Sequence, residues 1–396
     1  GKTFAVQNAK QKTKTTKPRR KEELIHMKFT VEKRLLNEAV TNLQRAVSSK
    51  TSIPALEGIL IRSEENRLIL TAYDLEIGMQ TELPAIISAP GAIILTAKLF
   101  AEIVRRSPDE DITIDVDDRN TATITSGVSC FTIIGMDSAE FPELPKITDA
   151  DTIKMPQELL KSMIRQTLFA VADSTAKPIH QGSLFKIENG NLDVVSVDGY
   201  RLALRREAIN YANNTEFVVP GKTLIEISKI LSGETEDEVS IFFTKNHIVF
   251  EFDDTVVVSR LIEGEYFRID QMLSSDYETK VTVNKKEFLD CIDRATLLVK
   301  ESDKKPIILS ITDDNIELKI QSQIGSMDEE IDINKEGKDI MIGFNPRFLI
   351  DALRVIDDET VTIYLVNPKA PCFIRDDEEN YTYLILPVNI NQNQAR

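Results

Sequence analysis

The chain writes one pattern three times. Leu36, Ala39, Val40, Leu43 and Val47 recur at the spacing of a single buried helix face. The same spacing returns 124 residues later at Leu160, Met163, Ile164, Thr167 and Val171, and a further 128 residues on at Phe288, Cys291, Ile292, Ala295 and Val299. These offsets also carry Pro54 onto Pro178 and Pro306. Solenoid repeats have periods of roughly 20–50 residues, whereas each copy here is long enough to enclose its own core. The sequence therefore predicts three domains of one type, over residues 27–150, 151–279 and 280–390.

Each copy is itself doubled. In the first, the alternation of apolar and polar residues predicts a strand over 28–31, a helix over 33–48 and strands over 58–62, 67–72 and 77–83. The order then restarts, with a strand over 92–95, a helix over 97–106 and strands over 112–116, 121–125 and 129–134. Across the copies Lys98-Leu99-Phe100 aligns with Lys222-Thr223-Leu224 and Arg347-Phe348-Leu349. In the third copy Asn345-Pro346 supplies a helix cap and a first-turn proline. The fold class that follows is α+β, with three pseudo-repeated domains of doubled strand-helix-strands units, six helices and six small sheets.

Residues 1–26 stand outside this repeat. Eight basic residues against Glu22 and Glu23 give them +6, with hardly an aliphatic side chain among them. Such a segment cannot offset its ordering entropy, so a mobile basic extension is expected, and it lacks the apolar stretch of a signal peptide. Gly1 reads as an added residue and Met27 as the natural start. A loose polar tail is expected over 391–396.

Several functional classes find little support. No apolar run approaches the ~20 residues of a membrane helix. Cys130, Cys291 and Cys372 are scattered, odd in number and without metal-ligand spacing, which suits buried thiols in a reducing cytoplasm. Gly221-Lys222-Thr223 resembles the end of a phosphate-binding loop, but Glu216 stands where that motif needs glycine, and a lysine at a helix start is the simpler reading. His26, His180 and His247 are the histidines, none with a nucleophile setting; His26 lies in the extension, His247 reads as a surface strand residue and His180 as a groove contact. The acidic run Glu234 to Glu238 reads as a solvated loop. No catalytic residue, metal or cofactor is expected.

Charge is distributed unevenly. The whole chain carries −16, and −22 without the basic extension. The predicted helices hold 17 basic and 9 acidic residues, a net +8, which leaves −30 on the remainder. A polarised field of this kind lets one surface meet phosphate while the rest repels it. The DNA-facing candidates are Arg45, Lys50, Lys98, Arg105, Arg106, Lys161, Arg165, Lys222, Lys229, Lys300 and Arg347. Basic residues are also good helix formers at exposed positions, which is the competing explanation. No base-reading motif accompanies them, so any contact would be to the DNA backbone, salt-sensitive and without sequence preference.

Four segments carry a resemblance. Met27-Lys28-Phe29-Thr30-Val31-Glu32, Asp198-Gly199-Tyr200-Arg201-Leu202-Ala203, Gly343-Phe344-Asn345 and Tyr383-Leu384-Ile385-Leu386-Pro387-Val388 resemble, in this order, the beta sliding clamp family of bacterial DNA polymerase III, from Met27 to about Asn389. The resemblance implies three clamp domains and a head-to-tail homodimer that closes a ring, with helices lining the hole. It implies a processivity factor that encircles duplex DNA and is placed there by an ATP-driven clamp loader. The replicative polymerase subunit, other polymerases and repair proteins would dock through short linear motifs, of the family's Gln-x-x-Leu-Phe type, in a groove between domains two and three.

Carried over by position, that groove comprises His180, Val197, Gly199, Tyr200, Arg201, Leu202, Phe267, Gln271, Met272, Asn345, Phe348, Leu384, Leu386, Pro387 and Val388. Leu202 and Leu386 would also serve as ordinary core residues in any β-rich domain. The chain departs from the family at the groove rim, Glu263-Gly264-Glu265-Tyr266-Phe267-Arg268-Ile269-Asp270-Gln271-Met272-Leu273, where Phe267 takes a proline position and Gln271 a basic one. The resemblance sets Phe131 and Ile133 against Leu297 and Leu298 of a second chain. The alternative from another class is an acidic protein-interaction scaffold that never encircles DNA.

Overall fold

Helices form where the repeat places them. The computed structural model describes residues 27–174, 177–299 and 305–390, so the expectations for residues 1–26, Lys300 and residues 391–396 lie outside the described residues. The helices are α1 (Lys33–Leu43), α2 (Ala97–Arg106), α3 (Gln157–Arg165), α4 (Gly221–Ile230), a single turn α5 (Ile269–Met272), α6 (Lys285–Thr296) and α7 (Pro346–Val355). The repeated face is buried in all three copies: Leu36, Ala39, Val40 and Leu43, then Leu160, Met163, Ile164 and Thr167, then Phe288, Cys291, Ile292 and Ala295. Val47, Val171 and Val299 close the pattern half-buried. Asn284 and Asn345 cap α6 and α7, each side-chain oxygen accepting a backbone N–H at 3.0 Å.

Two local expectations need correction. The helix predicted to reach residue 48 ends at Leu43 and tightens into a 3₁₀ turn over Gln44–Ala46. Beyond it the Ser48 N–H donates to the Leu56 carbonyl at 3.1 Å instead of to its own helix. A strand at Ile86–Ala89 was not predicted because Pro84 and Pro90 enclose it. Among the described residues it is an edge strand paired only with Met27–Glu32, a position that tolerates flanking prolines.

The chain divides into two compact units: residues up to Glu158 with Lys229–Leu261, and Leu159–Ser228 with Ile262 onwards. The first contains a five-stranded sheet in the order Ile86–Ala89, Met27–Glu32, Asp111–Val116, Thr121–Ser126, Ser129–Ile134. It also contains an eight-stranded sheet, in which Thr255–Arg260 pairs with Ile77–Pro84. There the Thr81 and Thr255 hydroxyls are 3.0 Å apart.

The second unit holds a twelve-stranded sheet, continuous through the antiparallel pairing of Arg201–Ala208 with Tyr381–Ile385. Six small sheets were expected, and three continuous ones form among the described residues. Unpaired strand edges are costly and aggregation-prone, and pairing the edges of neighbouring small sheets removes most of them. Its largest core cluster gathers Phe288 and Ile292 of α6, Leu349 and Leu353 of α7, and strand residues such as Phe344 and Ile374.

Two single-residue readings also change. Cys291 and Cys372 are buried, but Cys130 is exposed on an edge strand. His247 is half-buried rather than a surface residue, with burial and nearby Arg260 lowering its pKa.

Candidate functional site

The site grows from a tight hairpin in the second unit. Strands Asn191–Val197 and Arg201–Ala208 are joined by Asp198-Gly199-Tyr200. The Asp198 carboxylate accepts the backbone N–H groups of Tyr200 at 2.9 Å and Arg201 at 3.1 Å. Gly199 has φ +92°, a conformation that favours glycine. The Leu386 N–H donates to the Tyr200 carbonyl at 2.9 Å, which fixes the end of the last strand beside the turn.

Strand register then lays down an apolar floor. Val197 opposes Leu202, Leu202 opposes Leu384, Leu384 opposes Phe373 and Phe373 opposes Tyr364. Directly opposed residues share one face, so these five form a single row across the sheet, and all are buried. Tyr266, Ile269, Met272 and Leu273 from the rim segment pack on it. The Tyr266 hydroxyl sits 3.3 Å from the carbonyls of Gly182 and Val195, and burial pushes its pKa up.

A pocket of about 220 Å³ opens between row and rim, lined by Val197, Gly199, Tyr200, Arg201, Gln271, Met272, Pro371, Leu384 and Leu386. Apart from Arg201 and Gln271 its side chains are apolar or aromatic, the composition suited to a few hydrophobic anchors of a short peptide. A second cavity of about 300 Å³ lies along the same rim, lined by Leu184, Lys186, Glu216 and the run from Glu265 to Gln271. Gln271 lines both cavities.

Eight of the fifteen groove residues named from sequence therefore line the pocket. The other seven sit around it. Leu202 belongs to the buried floor, and Asn345 is occupied as the cap of α7. Phe348 stacks on Tyr200 with ring centres 6.2 Å apart. His180 and Phe267 stack on each other at 4.1 Å, and burial, helped by Lys177, lowers the His180 pKa. Pro387 follows Leu386, and the Val388 N–H donates to Gly343 at 2.8 Å. Pro371 was missed: it precedes the strand Cys372–Arg375, whose first residue opposes Ile385. Its one sequence signal was a proline beside a strand, which is too common to single it out.

The basic candidates divide by setting. Lys98, Arg105, Arg106, Lys161, Arg165, Lys222, Lys229 and Arg347 lie on helices, Arg45 lies on the 3₁₀ turn after α1, and Lys50 lies in the loop beyond. The six helices longer than one turn hold 14 basic and 8 acidic residues, a net +6. Arg105 and Arg106 both pair with Glu102, at 2.6 and 2.8 Å, and Arg165 pairs with Asp357 at 2.8 Å. These pairs are solvent-exposed and so weakly held. Gly221-Lys222-Thr223 opens α4 directly from the strand Thr215–Pro220, with no phosphate-cradling loop between them.

Phe131 and Ile133 lie on Ser129–Ile134, an edge strand paired, among the described residues, only with Thr121–Ser126. Phe131 is 40% exposed, and its neighbours Val128 and Ile134, not singled out from sequence, are 100% and 82% exposed. Leu297, at the end of α6, is 78% exposed, whereas Leu298 packs against the core of its unit.

Three family models match successive stretches of the chain: the N-terminal, central and C-terminal domains of the DNA polymerase III beta subunit, over residues 27–145, 154–267 and 270–389. The chain belongs to the DNA polymerase III beta subunit family. It is 35% identical to the beta sliding clamp of Bacillus subtilis over 376 residues, spanning 91% of this chain and 99% of that relative. The solved Bacillus subtilis DNA polymerase sliding clamp superposes with a TM-score of 0.90 at 36% identity, over 92% of this chain and all of that one. A solved Eubacterium rectale chain described as a DNA polymerase III beta subunit is 53% identical, with a TM-score of 0.89 and the same coverage. The three-domain clamp fold is thus the fold of this beta subunit family member.

Proposed function

We propose that this chain is the processivity factor of a bacterial replicative polymerase, a homodimeric ring that slides on duplex DNA and tethers its partners through the pocket at Leu384 and Leu386. The observation that carries this reading is the pocket itself, an apolar cavity with a preformed floor in a chain of this family. Affinity in such a groove comes from a few anchors while backbone and polar groups fix direction. The partners are the replicative polymerase subunit, the clamp loader, and other polymerases and repair proteins that carry short linear motifs. The chain acts as a non-catalytic accessory subunit in the cytoplasm. The domain boundaries of this reading are 27–150, 151–279 and 280–390.

Topology provides the direct test. Loaded onto a circular duplex by a clamp loader and ATP, the protein is expected to stay bound through high salt and to be lost when the circle is cut. Retention that ignores the cut removes encirclement and leaves the acidic scaffold.

The ring interface has its own test. Leu297→Ala with Leu298→Ala is expected to give monomers by light scattering. Because Leu298 also packs against its core, Leu297→Asp separates association from stability: a folded monomer supports the placement, and a persistent dimer removes it.

A further inference from the structure

The family resemblance makes Arg201 a groove contact, yet most of its chemistry points away from the pocket. Its side chain is 12% exposed. The guanidinium donates from Nε to Asp198 Oδ2 at 2.9 Å, from Nη1 to Asp351 Oδ2 at 2.6 Å and from Nη2 to the Phe169 carbonyl at 2.9 Å. Its central carbon lies 4.6 Å from the centre of the Phe348 ring and 5.3 Å from that of Phe169. Asp351 lies on α7 one turn beyond Phe348, so the carboxylate and the ring reach the guanidinium from one helix face. Asp351 is absent from the pocket lining.

We propose that Asp351 is a positioning residue for partner-peptide capture, holding Arg201 out of the apolar pocket and holding the Asp198-Gly199-Tyr200 wall in its binding shape. The inference rests on the groove reading above and deepens it. Two links connect Asp351 to the wall. One runs through Arg201 to Asp198, whose other carboxylate oxygen organises the turn. The other runs through Phe348, which stacks on Tyr200, a wall residue 63% exposed. A half-buried guanidinium that loses one of its carboxylates must find another partner or water. Arg201 already borders the pocket, so the released charge has the cavity meant for apolar anchors open to it. An arginine that merely touched the peptide would not depend on Asp351.

The test uses the full-length protein, a fluorescent Gln-x-x-Leu-Phe peptide as probe, and a Tyr200→Trp reporter, which is unambiguous because the chain has no tryptophan. Asp351→Asn, which keeps shape and removes charge, is expected to weaken peptide binding about tenfold, about 1.4 kcal/mol, in a protein that remains folded with its oligomeric state unchanged. Asp351→Glu is expected to recover most of that affinity. In the reporter background Asp351→Asn is expected to shift the tryptophan emission without peptide. Parental affinity in a folded Asp351→Asn protein overturns the inference. Should that variant fail to fold, Arg201→Lys, which keeps the charge but loses the forked geometry, reads the same link, and an unchanged emission overturns it. A parent that binds no peptide refutes the groove reading; the reporter emission still decides whether Asp351 positions the wall.

Discussion

A protein carrying Leu386→Asp is expected to fold, to keep its oligomeric state and to bind a Gln-x-x-Leu-Phe peptide about thirtyfold more weakly than the parent. Loss of a central anchoring contact costs roughly 2 kcal/mol or more, and a carboxylate facing Met272 and Leu384 adds desolvation to that loss. The fold tolerates the change because Leu386 is 37% exposed and is held by its backbone N–H, which the substitution leaves donating to Tyr200. Leu202→Ala is the less informative variant. Leu202 is 1% exposed, so its truncation damages the floor together with the pocket. Fluorescence anisotropy checks the prediction. Parental affinity in the Leu386→Asp protein would move the peptide site elsewhere.

Phe288→Ala is expected to be the most destabilising single change considered, at about 3–5 kcal/mol. Phe288 is fully buried on α6 within the largest core cluster of the second unit. Removing the ring leaves a cavity among packed strands and helices that cannot close around it, because close-packed interiors relax only partly. The half-buried Val299→Ala, at the end of the same pattern, is expected to cost far less. Denaturant titration followed by circular dichroism reads both. Equal midpoints for the two variants would show that the repeated face is not the core that its periodicity implies.

The helices and most strands were legible because their signals are local. Leu36, Ala39, Val40 and Leu43 sit on one face of any helix that contains them, and the copies at Leu160 and Phe288 repeat the message. Ile86–Ala89 was illegible because its prolines look like breakers until an edge position makes them harmless. The pocket was only partly legible. Tyr200 and Leu386 were named from motifs, while Pro371 carries only the common signal of a proline beside a strand and lines the pocket because the strand that follows it opposes the last one. Arg201, named from its motif, borders the pocket, but its bonding was not legible, since Asp351 lies 150 positions away in sequence.

Local periodicity and composition thus determined the three copies, their doubled halves, the buried helix faces and the concentration of positive charge on helices. These depend on spacings of two to four residues that any folded chain must respect. The tertiary structure decided which small sheets fuse, which side chains meet across Arg201–Ala208 and Tyr381–Ile385, and where the pocket opens. Those outcomes are set by register between distant strands, in which a slip of one residue would turn every floor side chain to the other face.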